Sequence, residues 1–195
     1  MMGSALAFPA AENGHEVHIV GTCLDDKIID GYLATGKHEK FCRPFPENVN
    51  YHYFKDWKTV VEGSDFVIGG VSSFGVDWFL EEILIQLDPE MPVLSVTKGL
   101  RATDDGSLLS YPGYWMSELA KRGIHRDICA VGGPCTSYEL VFKDPTEVAF
   151  CGWDNEVLRM MKQAMQRPYY HISLTNDVIG LESAVALKNA YAMAV

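Results

Sequence analysis

Asp127-Ile-Cys-Ala-Val-Gly-Gly-Pro-Cys-Thr-Ser-Tyr-Glu139 is the stretch on which the fold class turns. An apolar, β-branched run stops at two glycines and a proline, and a helix-forming segment follows, which is the strand-turn-helix step of an α/β protein. Two glycines let a ligand approach the backbone, Pro134 suits the first position of a helix, and exposed amides of a first turn can face an anion or carboxamide. Cys135 reads either as a thiolate nucleophile or as a small packing residue, and no histidine nearby in sequence is an obvious base for it.

The same step recurs outward from this stretch. Strand-like runs fall at His15 to Gly21, Asp65 to Val71, Pro92 to Val96, Asp127 to Gly132 and Thr146 to Cys151. Helical patterns lie between them: Gly3 to Asn13, stopped by Gly14; Phe74 to Leu87, stopped before Pro89; and Ser107 to Arg122, stopped by Gly123. Asp154 caps a helix whose Val157, Met160, Met161, Ala164 and Met165 make one apolar face, read as core packing. Asn176 or Asp177 caps the last helix. Alternating strands and helices predict a doubly wound, mostly parallel sheet. Gly36 to Asp56, rich in Pro, His, Asn and aromatics, reads as an irregular surface excursion.

Composition narrows the function classes. The chain has 195 residues, 48% hydrophobic and 22% charged, enough to bury a core and to suit one domain plus the start of a second. Twenty-six acids against sixteen Lys and Arg give a formal charge of −10, the wrong sign for nonspecific binding to nucleic acid or an anionic membrane. A phosphate ligand would therefore be held locally, by helix N-termini and a few placed cations. No secretory signal or spanning segment is readable, so the cytoplasm is expected. Five scattered cysteines without a CxxC spacing argue against a disulfide framework and a zinc site, and His15 and His18 fall on opposite faces of a strand, so no metal is expected.

Two lysines stand out. Lys188 is the lone charge in Ser183-Ala-Val-Ala-Leu-Lys-Asn-Ala-Tyr-Ala-Met-Ala-Val195. Loss of hydration there would lower its pKa and make it an acid/base group beside the amide of Asn189, while a snorkelling lysine on a half-buried helix is the bland reading. Lys98, in Ser95-Val-Thr-Lys-Gly-Leu100, ends a buried strand at the carboxyl edge where open α/β sheets bind ligands. It either orients a substrate or cofactor oxygen or is solvated surface. Gly3, in Met1-Met2-Gly3-Ser-Ala-Leu-Ala, opens a helix where a dinucleotide fold places its phosphate turn, and an ordinary helix start reads equally well. After the second strand of such a fold the chain has Gly21-Thr22-Cys23-Leu24, with Asp25 and Asp26 a little late for a ribose-binding acid. NAD and NADP are not separated.

The small-residue helix at Gly3, the Thr-Lys-Gly-Leu strand end, the Gly-Gly-Pro-x-x-x-x-Glu segment and the Ala-Leu-Lys-Asn helix together resemble NAD(P)-dependent glycerol-3-phosphate dehydrogenase, in order and spacing over essentially the whole chain. The resemblance implies a Rossmann-type domain lacking its first strand (1–174) and the first helix of an all-α substrate domain (175–195). It also implies interconversion of sn-glycerol 3-phosphate and dihydroxyacetone phosphate with NAD or NADP. It assigns catalysis to Lys188, Lys98 and Asn189, the cofactor to Gly3, Thr22, Ser72 and Ser137, and a small phosphorylated substrate to Lys98, Gly133, Cys135 and Lys188. A homodimer is expected of the intact enzyme. Another two-domain dehydrogenase, or a non-catalytic dinucleotide-binding module, are the alternatives. Both termini read as cut, which predicts exposed sheet edges and little or no activity for this polypeptide alone.

Overall fold

The computed structural model describes residues 1–104 and 106–193, with the backbone alone at Asn189 and Ala192. In chain order the elements are α1 (Met2–Glu12), β1 (Val17–Val20), α2 (Asp26–Thr35), β2 (Val49–His52), α3 (Trp57–Val61), β3 (Val67–Gly69), α4 (Val76–Phe79), β4 (Val93–Ser95), β5 (Leu100–Ala102), β6 (Leu108–Ser110), α5 (Tyr111–Lys121), β7 (Ile128–Gly132), α6 (Ser137–Phe142), β8 (Thr146–Cys151), α7 (Asn155–Met165), β9 (Tyr170–Thr175) and α8 (Val178–Met193). Among the described residues the strands of the α/β layers pair as a two-stranded sheet, β1–β2, and a five-stranded sheet in the order β3-β4-β7-β8-β9. β5 and β6 form a separate antiparallel hairpin.

The chain divides into two compact units. The first holds residues 1–65, 135–146 and 163–171. There β1 and β2 pair in parallel, Val17 opposite Val49 and Val20 opposite His52. Its core is aromatic: Phe8 stacks on Phe45 at 4.7 Å between ring centroids, and His38 stacks on Phe41 at 3.9 Å. The predicted surface excursion at Gly36 to Asp56 is thus corrected. Phe41, Phe45 and His38 are buried, and β2 lies inside the segment. Four aromatic rings gain more by leaving water than the irregular backbone loses, a balance that composition by itself does not reveal.

The second unit holds residues 66–134, 147–162 and 172–195. β3 pairs with β4 and β4 with β7 in parallel, and β8 runs antiparallel to β7. β4 and β7 are buried at every position, as strands covered on both faces should be. Asp154 caps α7, its Oδ1 accepting from the amides of Glu156 and Val157. Asp177 caps α8 by accepting from the Gly180 amide at 2.9 Å.

Two helix expectations shift. Leu108–Ser110 is strand, because the turn at Gly106 returns the chain, with Thr103 N donating to Ser107 O, and the helix begins only where Ser110 Oγ accepts from Gly113 N. The segment predicted as one helix from Phe74 to Leu87 opens with a short 3₁₀ turn at Ser73–Gly75 and continues past α4 as a π turn over Leu80–Leu84.

Candidate functional site

β4 delivers Lys98 to its carboxyl end. Val96 N donates to Gly69 O, and Thr97 Oγ1 donates to Val71 O at 2.7 Å, so the strand end is tied to the segment after β3 just before the lysine emerges. Lys98 is exposed, and its Nζ donates to Gly133 O at 3.2 Å. The structure therefore brings together two of the residues assigned to substrate.

The glycine pair at the end of β7 has two different jobs. A Cβ on Gly132 would lie 2.5 Å from Val185 Cγ2 and 2.9 Å from Leu181, so this position lets α8 pack directly on the strand. Gly133 has a φ of +150° and sits against the backbone of Glu147 and Val148, where a side chain would collide. The expected close approach is thus made by protein: a helix at one glycine and a neighbouring strand at the other. The first turn of α6 also differs from expectation. The helix starts at Ser137, three residues after Pro134, because Thr136 forms a capping box: its Oγ1 accepts from Glu139 N, and Glu139 Oε2 accepts from Thr136 N at 2.6 Å. Those two backbone donors are satisfied within the chain. Cys135 is 7% exposed, with Sγ donating to Thr136 O at 3.4 Å, and Ser137 is half-buried.

α8 lays Val178, Leu181, Glu182 and Val185 along one face, the i, i+3, i+4, i+7 spacing of a buried stripe. Val178 and Leu181 pack with Ala130 of β7 and Cys151 of β8. Glu182, only 5% exposed, is an acid in that apolar stripe. Burial raises its pKa to about 7, opposed by the Lys98 ammonium. Burial, with the Glu182 charge adding to it, pushes the Cys151 thiol up to about 12. Lys188 lies on the row that continues Leu181 and Val185, but the expectation of a dehydrated ammonium does not hold here. Lys188 is exposed, and so are Leu187, Tyr191 and Met193 around it, so the last turns of α8 are solvated. Asn189 belongs to the same helix, and its side chain lies outside the described residues. Ser72 is exposed, at the start of the turn after β3, with its carbonyl accepting from Gly75 N.

In the first unit, Gly3 is in the first turn of α1 and Thr22 follows β1. Thr22 donates to Asp25 Oδ2 through both its amide, 2.8 Å, and its hydroxyl, 2.7 Å. Asp25 thereby reaches back to the strand end, closer than its place in the sequence implied. The reading of the sequence missed this link, and it missed Glu182. The signal for that acid is its place at i+4 from Val178, in line with the buried stripe.

Parallel strands with crossover helices, and a lysine and glycine pair at the strand ends, define a Rossmann-type α/β protein. The family described as "NAD-dependent glycerol-3-phosphate dehydrogenase N-terminus" matches residues 1–158. The chain belongs to that family. It is 30% identical to the NADP(+)-dependent glycerol-3-phosphate dehydrogenase of Archaeoglobus fulgidus, over 100% of this chain and 56% of that protein. The fold is shared with the crystal structure of a glycerol-3-phosphate dehydrogenase from Coxiella burnetii, TM-score 0.82 at 20% identity, covering 99% of this chain and 56% of that one. It is also shared with the Saccharomyces cerevisiae enzyme, TM-score 0.80 at 19% identity, covering 98% and 58%. The chain spans about half the length of these relatives.

Proposed function

We propose that this chain is the dinucleotide-binding part, residues 1–174, and the first substrate-domain helix, residues 175–195, of an enzyme that interconverts sn-glycerol 3-phosphate and dihydroxyacetone phosphate with NAD or NADP. The observation that carries the reading is the contact of Lys98 with Gly133, where the ends of β4 and β7 meet beneath α8. A cation held at a strand end by a backbone carbonyl can stabilise the oxygen of a carbonyl as it becomes an alkoxide. Lys188 takes the hydroxyl proton on oxidation and returns it on reduction, with Asn189 orienting the same oxygen. Gly133 and Cys135 complete the assignment for a small phosphorylated substrate.

Gly3, Thr22, Ser72 and Ser137 are the residues assigned to the dinucleotide, which supplies or accepts hydride when bound. The chemistry at the end of β1 fits such a group. An ionised carboxylate offers about four acceptor sites, and Thr22 uses two on Asp25, so the acid can also serve ribose hydroxyls. Five free cysteines support a reducing compartment, and the reading keeps the cytoplasm and a homodimer for the intact enzyme. Among the described residues no helix is long and apolar enough to cross a membrane.

Lys188 is exposed and the chain spans about half the length of its relatives, so the 195-residue chain alone should not oxidise NADH or NADPH with dihydroxyacetone phosphate. Joined to the remaining length of the Archaeoglobus relative, it should do so, and Lys188→Ala should abolish that turnover. A folded chimera that binds NADH and NADPH without turnover would mark a non-catalytic dinucleotide module instead.

A further inference from the structure

The pairing of β1 with β2 brings two imidazoles nitrogen to nitrogen. In the parallel register His18 lies opposite Asn50 and Val20 opposite His52. Side chains alternate along a strand, so His18 and His52, diagonal neighbours, share one face of the pair. Their ring centroids are 5.0 Å apart, and His18 Nδ1 lies 2.9 Å from His52 Nε2. One of these nitrogens donates and the other accepts. The far nitrogen of His18, Nε2, has Glu16 Oε1 at 3.6 Å, and the same oxygen accepts from Asn50 Nδ2 at 3.1 Å. An acid held there favours the tautomer with the proton on Nε2, which leaves the Nδ1 lone pair turned to His52. The side chain of His18 is 31% exposed, so the pair is reachable from solvent.

We propose that His18 Nδ1 and His52 Nε2 chelate a divalent transition-metal ion of the zinc type, which takes the place of the hydrogen between them. Neutral imidazole suits such ions, whereas magnesium and calcium prefer oxygen ligands. Two nitrogens bound tetrahedrally at about 2.1 Å stand roughly 3.3 Å from each other, so the rings need to part by only a few tenths of an ångström. Two waters leave the ion, two nitrogen–metal bonds form, and the proton on His52 Nε2 passes through solvent to its Nδ1, so both rings stay neutral. Among the described residues no group of three or more His, Cys, Asp or Glu side chains could hold a metal ion, so this ion keeps water in its other positions. It joins β1 to β2 beside the Gly21 amide, which donates to His52 O at 3.0 Å. The site does not rest on the reaction proposed above.

The test is ¹⁵N NMR of the histidine rings in the 195-residue chain, kept reduced and stripped of metal, as Zn²⁺ is added. His18 Nδ1 and His52 Nε2 should shift together, ahead of the rings of His15, His38, His125 and His171, and amide exchange should slow in Val17–Val20 and Val49–His52. Mg²⁺ should move neither ring. His18→Gln and His52→Gln should each weaken Zn²⁺ binding at the remaining ring by on the order of a hundredfold, because one imidazole alone has no chelate. Rings that stay put while Zn²⁺ goes to the exposed Cys23 or Cys42 overturn the inference. So do two rings that respond at different Zn²⁺ concentrations, or a single-ring variant that keeps the parent affinity. Where a variant fails to fold, the joint shift in the parent chain decides.

Discussion

Gly132 and Glu182 show how single residues set the second unit. A methyl at Gly132 would meet Val185 and Leu181 well inside van der Waals contact, so Gly132→Ala must push α8 off β7. Such overpacking costs about 1–3 kcal/mol, and urea unfolding should show a loss of that size. Glu182 makes a pH-dependent contribution whose sign follows from its raised value. The unfolded acid releases its proton near 4.5, and the folded one near 7. Between these values the native chain binds more protons than the unfolded one, so stability falls as pH rises and the full penalty applies above the folded value. That penalty is on the order of 3 kcal/mol. Glu182→Gln, which never ionises, should therefore gain melting temperature over the parent at pH 8 and lose that gain at pH 5. An equal difference at both pH values would contradict the assignment.

At the scale of elements, caps and turns decide where helices begin. α6 is too short to be stable by propensity, so its capping box matters: Thr136→Ala should cost about 1 kcal/mol and speed amide exchange in Ser137–Phe142. The segment before β2 is organised by His38, whose Nδ1 accepts from the amides of Lys40 at 3.1 Å and Phe41 at 3.3 Å. Protonating that nitrogen would leave two donors facing a third. Burial, first of all, pulls its pKa down to about 4 from 6.5. Unfolded chains bind this proton at the higher pH, so the segment loses stability as pH falls through that window. NMR of the ring should give a midpoint near 4, with Lys40 and Phe41 amides losing protection together with it.

Across the whole molecule the two units carry opposite pH dependences. The first is undermined from the acid side by His38, the second from the alkaline side by Glu182. Hydrogen exchange at pH 5 should open the first unit sooner than at neutrality, and at pH 8 the second should open sooner. A single uniform response at both extremes would show that neither group governs its unit. This contrast has no sequence signature, since one histidine among six and one acid among twenty-six look like any other.

The order of strands and helices, the α/β class and the strand-end lysine were legible in the residues, because period and punctuation are local properties. β3, β4, β7 and β8 announce themselves as apolar β-branched runs, and the acids capping α7 and α8 stand where capping chemistry puts them. β9 was missed although Tyr170 and Ile172 alternate inward with His171 and Ser173 outward. β2, Val-Asn-Tyr-His, has no comparable pattern and forms because β1 supplies a partner. Only the tertiary structure decided that Gly132 admits a helix, that Asp25 turns back to Thr22, and that Glu182 is buried while Lys188 stays in water. Each of these depends on which surfaces meet and exclude solvent, and desolvation is a property of packed neighbours rather than of a residue's place in the chain.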